Sequence, residues 1–108
     1  MEIGYRSRGY KQMTTKQDIL NGLVKCKNTL ASRFKIKRMA LFGSWAREDN
    51  RPDSDVDVLV EVDPSIGLDF VLIGDHLEEM LGLRVDLVSS RAIKPGFWKE
   101  IEPELIYV

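Results

Sequence analysis

The sequence is poor in the residues that usually announce a binding chemistry. Its 108 residues contain one cysteine and one histidine. Cys26 alone cannot form an internal disulfide, and without a CxxC pair or a Cys/His cluster no zinc site is expected. No apolar run approaches the ~18 residues of a membrane span, and the N-terminus has no secretory apolar core. Neither a GxxxxGK[ST] phosphate loop nor a GxGxxG dinucleotide fingerprint occurs. Charge of one sign is lacking too: 16 basic residues face 17 acidic ones. Global charge therefore gives no argument for a nucleic acid or a membrane as partner, and no direct nucleic-acid binding is expected. A single cytoplasmic domain with one modest core is the expectation.

The chain does carry a clear alternation of helical and extended patterns. Residues 1–13 show no period and read as a leader or an added strand, so the domain proper is placed at 14–108. A helix is expected from about Thr15, capped by Thr14 or Thr15 with Asp18 in the first turn, and with Ile19, Leu20, Leu23, Val24, Leu30 and Phe34 as its apolar stripe. "IKRMALFG" reads as a buried strand, and Ser44 as the cap of a short helix. Pro52 lies in a turn cluster. "DVDVLVEV" alternates acid and aliphatic residues in the period of a strand. A second long helix follows, with Leu68, Val71, Leu72, Leu77 and Leu81 facing inward and Gly82 at its end. "LRVDLVSS" is a third strand, and a short helix around Trp98 precedes a terminal apolar segment. This order predicts an α/β (α+β) fold, a small mixed sheet with helices packed on it.

The stretch "DSDVD" at 53–57 carries the chemistry. Side chains at i and i+2 of a strand share a face, so Asp55 and Asp57 project together about 6.6–7 Å apart, while Val56 and Val58 turn to the core. Such a pair is common as a solvated surface feature. It can also grip a hard divalent cation, and without one the two carboxylates repel and one pKa rises. A calcium loop is excluded, because its sixth position would be Val58 and its twelfth Pro64. The context favours the metal reading. Eleven residues before Asp55, Ser44 follows Gly43 where a strand turns into a helix, and such a corner offers free N–H groups to phosphate oxygens. Asp86 lies inside an apolar strand, where an acid is costly unless partnered. If that strand adjoins the first, Asp86 completes a triad of carboxylates. His76 reads as a surface residue. Arg47 suits either a phosphate contact or a structural ion pair, and Lys94 is a weaker phosphate candidate. Trp45, Phe97 and Trp98 fit either the core or a partner-facing patch.

"GS-x-x-R" followed by "SDVDVLV", with "VDLVS" further on, resembles the signature of the nucleotidyltransferase superfamily and its minimal nucleotidyltransferases. The resemblance covers roughly residues 15–108. It implies a nucleotidyltransferase-like fold in which Gly43 and Ser44 hold the triphosphate of a nucleoside triphosphate, most often ATP. It implies further that Asp55 and Asp57 bind two Mg²⁺ ions and that Asp86 shares a metal and helps to deprotonate the acceptor hydroxyl. Members of this group are often antitoxins encoded beside a HEPN-domain toxin, whose tyrosine they AMPylate, so a homo- or hetero-oligomer is in view. A non-catalytic module that neutralises its partner by contact is the alternative. An aminoglycoside-type adenylyltransferase is disfavoured, because the chain has no additional domain for such a substrate. One departure stands out: the family commonly has Gly after the arginine, and here Glu48 follows Arg47. If that position needs a left-handed backbone, Glu48 costs on the order of 1 kcal/mol.

Overall fold

The computed structural model describes residues 14–108, so the leader expected at 1–13 lies outside the described residues. Helix α1 spans Lys16–Phe34. Thr15 caps it in a reciprocal box: its hydroxyl accepts from the Asp18 N–H, and the Asp18 carboxylate accepts from the Thr15 N–H. Strand β1 (Ile36–Phe42) leads into the one-turn helix α2 (Gly43–Arg47), and strand β2 spans Val56–Val62. Helix α3 (Asp69–Leu81) and strand β3 (Val85–Ser89) follow, then helix α4 (Pro95–Ile101) and the short strand β4 (Ile106–Tyr107).

The sheet has the order β3-β2-β1-β4. β1 is antiparallel to both β2 and β4, and β2 is parallel to β3, so the sheet is mixed as expected. The period of two divides the strands between two cores. Met39, Leu41, Val56, Val58, Val60 and Val62 face α1 and α3, where Ile19, Leu23, Leu30, Ile73 and Leu77 meet them. Ala40, Phe42 and Leu59 face the opposite way and are covered by Ile101 of α4, with Trp98, Val88 and Leu105 around it. Asp57 alternates with Val56 and Val58, so it belongs to this second, thinner layer. No described helix is long and apolar enough to cross a membrane.

Several expectations about helix faces need correction. The buried stripe of α1 is Ile19, Leu23, Cys26, Leu30 and Phe34. Cys26 takes a core place and Val24 is 55% exposed. Gly22 has a packing role: a Cβ there would meet Leu81 Cδ2 at 2.6 Å, so its missing side chain lets α3 approach. On α3 the buried residues are Ile73 and Leu77, backed by Phe70 and Leu81. Leu68, Val71 and Leu72 point to solvent instead. The helical period joins Phe70, Ile73, Leu77 and Leu81 on one face, whereas Val71 and Leu72 share the other with Asp75 and Glu79. Ser44 is not a cap. Helix α2 starts at Gly43, and Phe42 stands in the capping position without a side-chain hydrogen bond.

Candidate active site

Strand register brings the acids together. Phe42, the last residue of β1, pairs with Asp57, and Asp57 pairs with Asp86 on β3. Adjacent strands lie about 4.8 Å apart, so the two aspartates are immediate lateral neighbours. Gly43 follows directly and turns the chain with φ +78. A Cβ on Gly43 would lie 2.0 Å from Asp57 Oδ2 and 2.8 Å from its Cγ. This glycine is therefore required twice, for the left-handed backbone and for the carboxylate resting against its Cα. Trp45 is buried, and its indole Nε1 donates to the Ser54 carbonyl at 3.2 Å. That bond fastens α2 to the loop entering β2, so Trp45 belongs to the core rather than to a partner-facing patch.

The three predicted acids differ in setting. Asp57 is half-buried, and burial pushes its carboxyl up from 3.8 to about 6. The Asp86 and Asp55 carboxylates push the same way, as does Glu104 more weakly, and the Arg47 guanidinium opposes them. Asp86 is exposed on β3. Asp55 stands just ahead of β2 rather than within it, and its Oδ1 receives Arg84 Nε at 3.1 Å. Among the described residues no group of three or more His, Cys, Asp or Glu side chains is gathered around one ion position. Asp57 and Asp86 are held side by side, while Asp55 faces an arginine.

Arg47 is tied into the structure. Its Nε donates to Asp49 at 3.0 Å, and its Nη1 donates to both carboxylate oxygens of Glu104 at 3.1 Å. Glu104 Oε1 also accepts from the Gly43 N–H at 2.8 Å. Glu48 follows in the left-handed region with φ 65 and ψ 27. The backbone conformation that glycine would adopt freely is thus present, occupied by glutamate.

These groups line a cavity of about 430 Å³. Its polar side is Gly43, Ser44, Arg47, Asp57, Asp86, Glu100 and Glu104, and its apolar side is Phe42, Val88, Phe97 and Ile101. Asp55 and Lys94 do not line it, whereas Phe97 does. Four carboxylates and one arginine face this space, and that arginine is already paired. A polyanion would be repelled unless a cation entered with it. The carboxylate oxygens are hard ligands of the kind magnesium takes, commonly one or two side chains completed by phosphate oxygens. The raised pKa of Asp57, caused first by burial and then by the neighbouring carboxylates, is a shift that a divalent ion would oppose. Asp57 and Asp86 fit such an ion; Asp55 joins them only by leaving Arg84.

Glu100, Glu104 and the apolar wall escaped the sequence reading. Glu104 meets Gly43 across 61 residues of sequence. No local pattern in "EIEPELIYV" encodes that contact.

Comparison with known proteins shows the family. The model of the nucleotidyltransferase domain family matches residues 23–108. A protein adenylyltransferase MntA of Thermococcus cleftensis is 40% identical over 98 residues, which covers 89% of this chain and 98% of that protein. A solved structure described as a minimal nucleotidyltransferase superposes with a TM-score of 0.70 at 33% identity, covering 86% of this chain and 95% of the other. A complex of a tri-AMPylated HEPN toxin of Shewanella oneidensis with an MNT antitoxin matches with a TM-score of 0.58. At 20% identity, over 86% of this chain and 71% of that one, the last is a likeness of fold alone. The strand register, the Gly43 corner and these matches converge: the chain belongs to the nucleotidyltransferase family, as an enzyme of its minimal type.

Proposed function

We propose that this chain is a Mg²⁺-dependent adenylyltransferase that moves the AMP group of ATP onto a tyrosine hydroxyl of a HEPN-type partner and so acts as an antitoxin. The observation that carries the reading is the pairing of Asp57 with Asp86 over Gly43, on the floor of a cavity that also holds Ser44. The name of the Thermococcus relative and the toxin complex of like fold support the choice of reaction and partner.

In this reading Gly43 and Ser44 receive the phosphate tail, with Arg47 beside them. Asp57 and Asp86, joined by Asp55, would hold two magnesium ions. Magnesium neutralises phosphate charge and stabilises the departing oxygen when bound. The acceptor oxygen attacks the α-phosphorus. A new O–P bond forms, the bond to the bridging oxygen breaks, and pyrophosphate leaves with the electron pair. Asp86, the more open of the paired acids, accepts the hydroxyl proton. Asp57 would stay ionised with a cation bound, because that charge opposes the burial that raises its pKa.

The test is transfer of α-labelled ATP to the partner by wild type and by Asp57→Asn. Loss of labelling in the variant, with the protein–protein complex intact, supports the enzyme reading. If the folded variant transfers label at the wild-type rate, the assignment of Asp57 is wrong. If wild type labels nothing while both proteins neutralise the partner equally, action by contact replaces catalysis.

A further inference from the structure

Glu104 is unaccounted for by this scheme. It sits on the single turn Glu102–Glu104 between α4 and β4, and its side chain is 20% exposed. Its carboxylate reaches into the cavity and accepts from two donors at once, the Gly43 N–H at 2.8 Å and Arg47 Nη1 at 3.1 Å. Those are the backbone and side-chain donors that a phosphate oxygen of the substrate would use. A carboxylate and a phosphate edge present similar oxygens to such a pair.

We infer that Glu104 is an internal place-holder for the triphosphate, occupying the Gly43 and Arg47 donors until nucleotide displaces it, and so sets nucleotide affinity. The inference rests on the reading of Gly43 as the phosphate corner. Three observations support the exchange. One side chain engages both the Gly43 N–H and Arg47 Nη1, so a phosphate oxygen takes those two donors only by displacing Glu104. A triphosphate beside Glu104 would place like charges in contact, in a cavity already lined by Asp57, Asp86 and Glu100. The side chain hangs from a surface turn, so rotation about its own bonds carries it out without moving the sheet.

The experiment compares wild type with Glu104→Gln, which retains shape and removes charge. Calorimetric titrations use ATP and, separately, inorganic tripolyphosphate, each with Mg²⁺. A charge-assisted contact replaced by a neutral one releases the donors more readily, so both ligands should bind at least about five-fold tighter to the variant. An equal gain for the two ligands assigns the effect to the phosphate tail rather than the base. Equal or weaker binding by the folded variant overturns the inference. Should Glu104→Gln fail to fold, carbon-detected NMR of wild type decides: the Glu104 carboxyl and Gly43 amide resonances must both move as tripolyphosphate saturates, and a stationary Glu104 refutes the exchange. Failure of label transfer with tighter binding intact would sink the proposed reaction and leave the place-holder standing. No binding of either ligand by either protein would sink both.

Discussion

Replacing Gly43 by alanine tests the geometry of the whole site with one methyl group. Two penalties combine. A non-glycine residue at φ +78 pays on the order of 1–2 kcal/mol for the left-handed backbone. The new Cβ would also stand 2.0 Å from Asp57 Oδ2, a distance no side chain tolerates. Asp57 must rotate away, and leaving its rotamer costs roughly 0.5–1.5 kcal/mol. Alanine recovers roughly 0.4–1 kcal/mol by restricting the unfolded chain. The net loss is about 2 kcal/mol, which for a domain of this size lowers Tm by roughly 8–16 °C. Circular dichroism melts of wild type, Gly43→Ala, Asp57→Ala and the double variant form a cycle. Removing the Asp57 carboxylate should relieve part of the alanine penalty, so the double variant loses less than the sum of the single losses. Transfer activity should fall with Gly43→Ala even at temperatures where it is fully folded, because Asp57 has been turned. A Gly43→Ala protein that melts with wild type, or a strictly additive cycle, would refute the claim that the carboxylate rests against this glycine.

Glu48→Gly should stabilise the fold by about 1 kcal/mol, read as a higher denaturation midpoint, because glycine enters the left-handed conformation freely. The Lys16 contact it would lose is 3.8 Å long and its glutamate is 71% exposed, and such pairs contribute little. Asp57 also makes a signed pH prediction. Its folded pKa of about 6 lies above its unfolded value, so the native state binds the extra proton between the two. Its contribution to stability is fully present below about pH 4 and is lost as pH rises through about 6. Melting curves should therefore show Asp57→Asn gaining on wild type from pH 4 to pH 7, and millimolar Mg²⁺ should close that gap by favouring the carboxylate. A variant whose advantage does not change with pH would contradict the buried, acid-crowded setting of Asp57.

Much of this architecture is written in local pattern. The capping box at Thr15 and Asp18 and the alternation Asp57-Val58-Leu59 rest on neighbours a few residues apart. Each is correspondingly plain in the sequence. Asp86 could be singled out because an acid within "RVDLV" is costly without a partner, and the structure supplies β2 as the adjoining strand. Faces were harder. The apolar residues Leu68, Val71 and Leu72 compete with the true stripe of α3, Phe70, Ile73, Leu77 and Leu81, and packing against α1 is what makes the distinction plain. Asp55 reads as the twin of Asp57, yet it falls one residue short of the strand and meets Arg84. Glu104 lies furthest from reach, since its role depends on where β4 delivers the end of the chain.

The lateral pairing of Asp57 with Asp86 also bears on how the sheet assembles. Slipping β3 by one residue would exchange the acid for Leu87 and aim it at the hydrocarbon packed beneath α3, so hydrophobic patterning enforces the alignment that crowds two like charges. The folding chain must therefore zip these strands against an electrostatic headwind. Acidification or a divalent ion in the refolding buffer should speed that step, making the paired acids a hindrance during assembly that neutralisation removes.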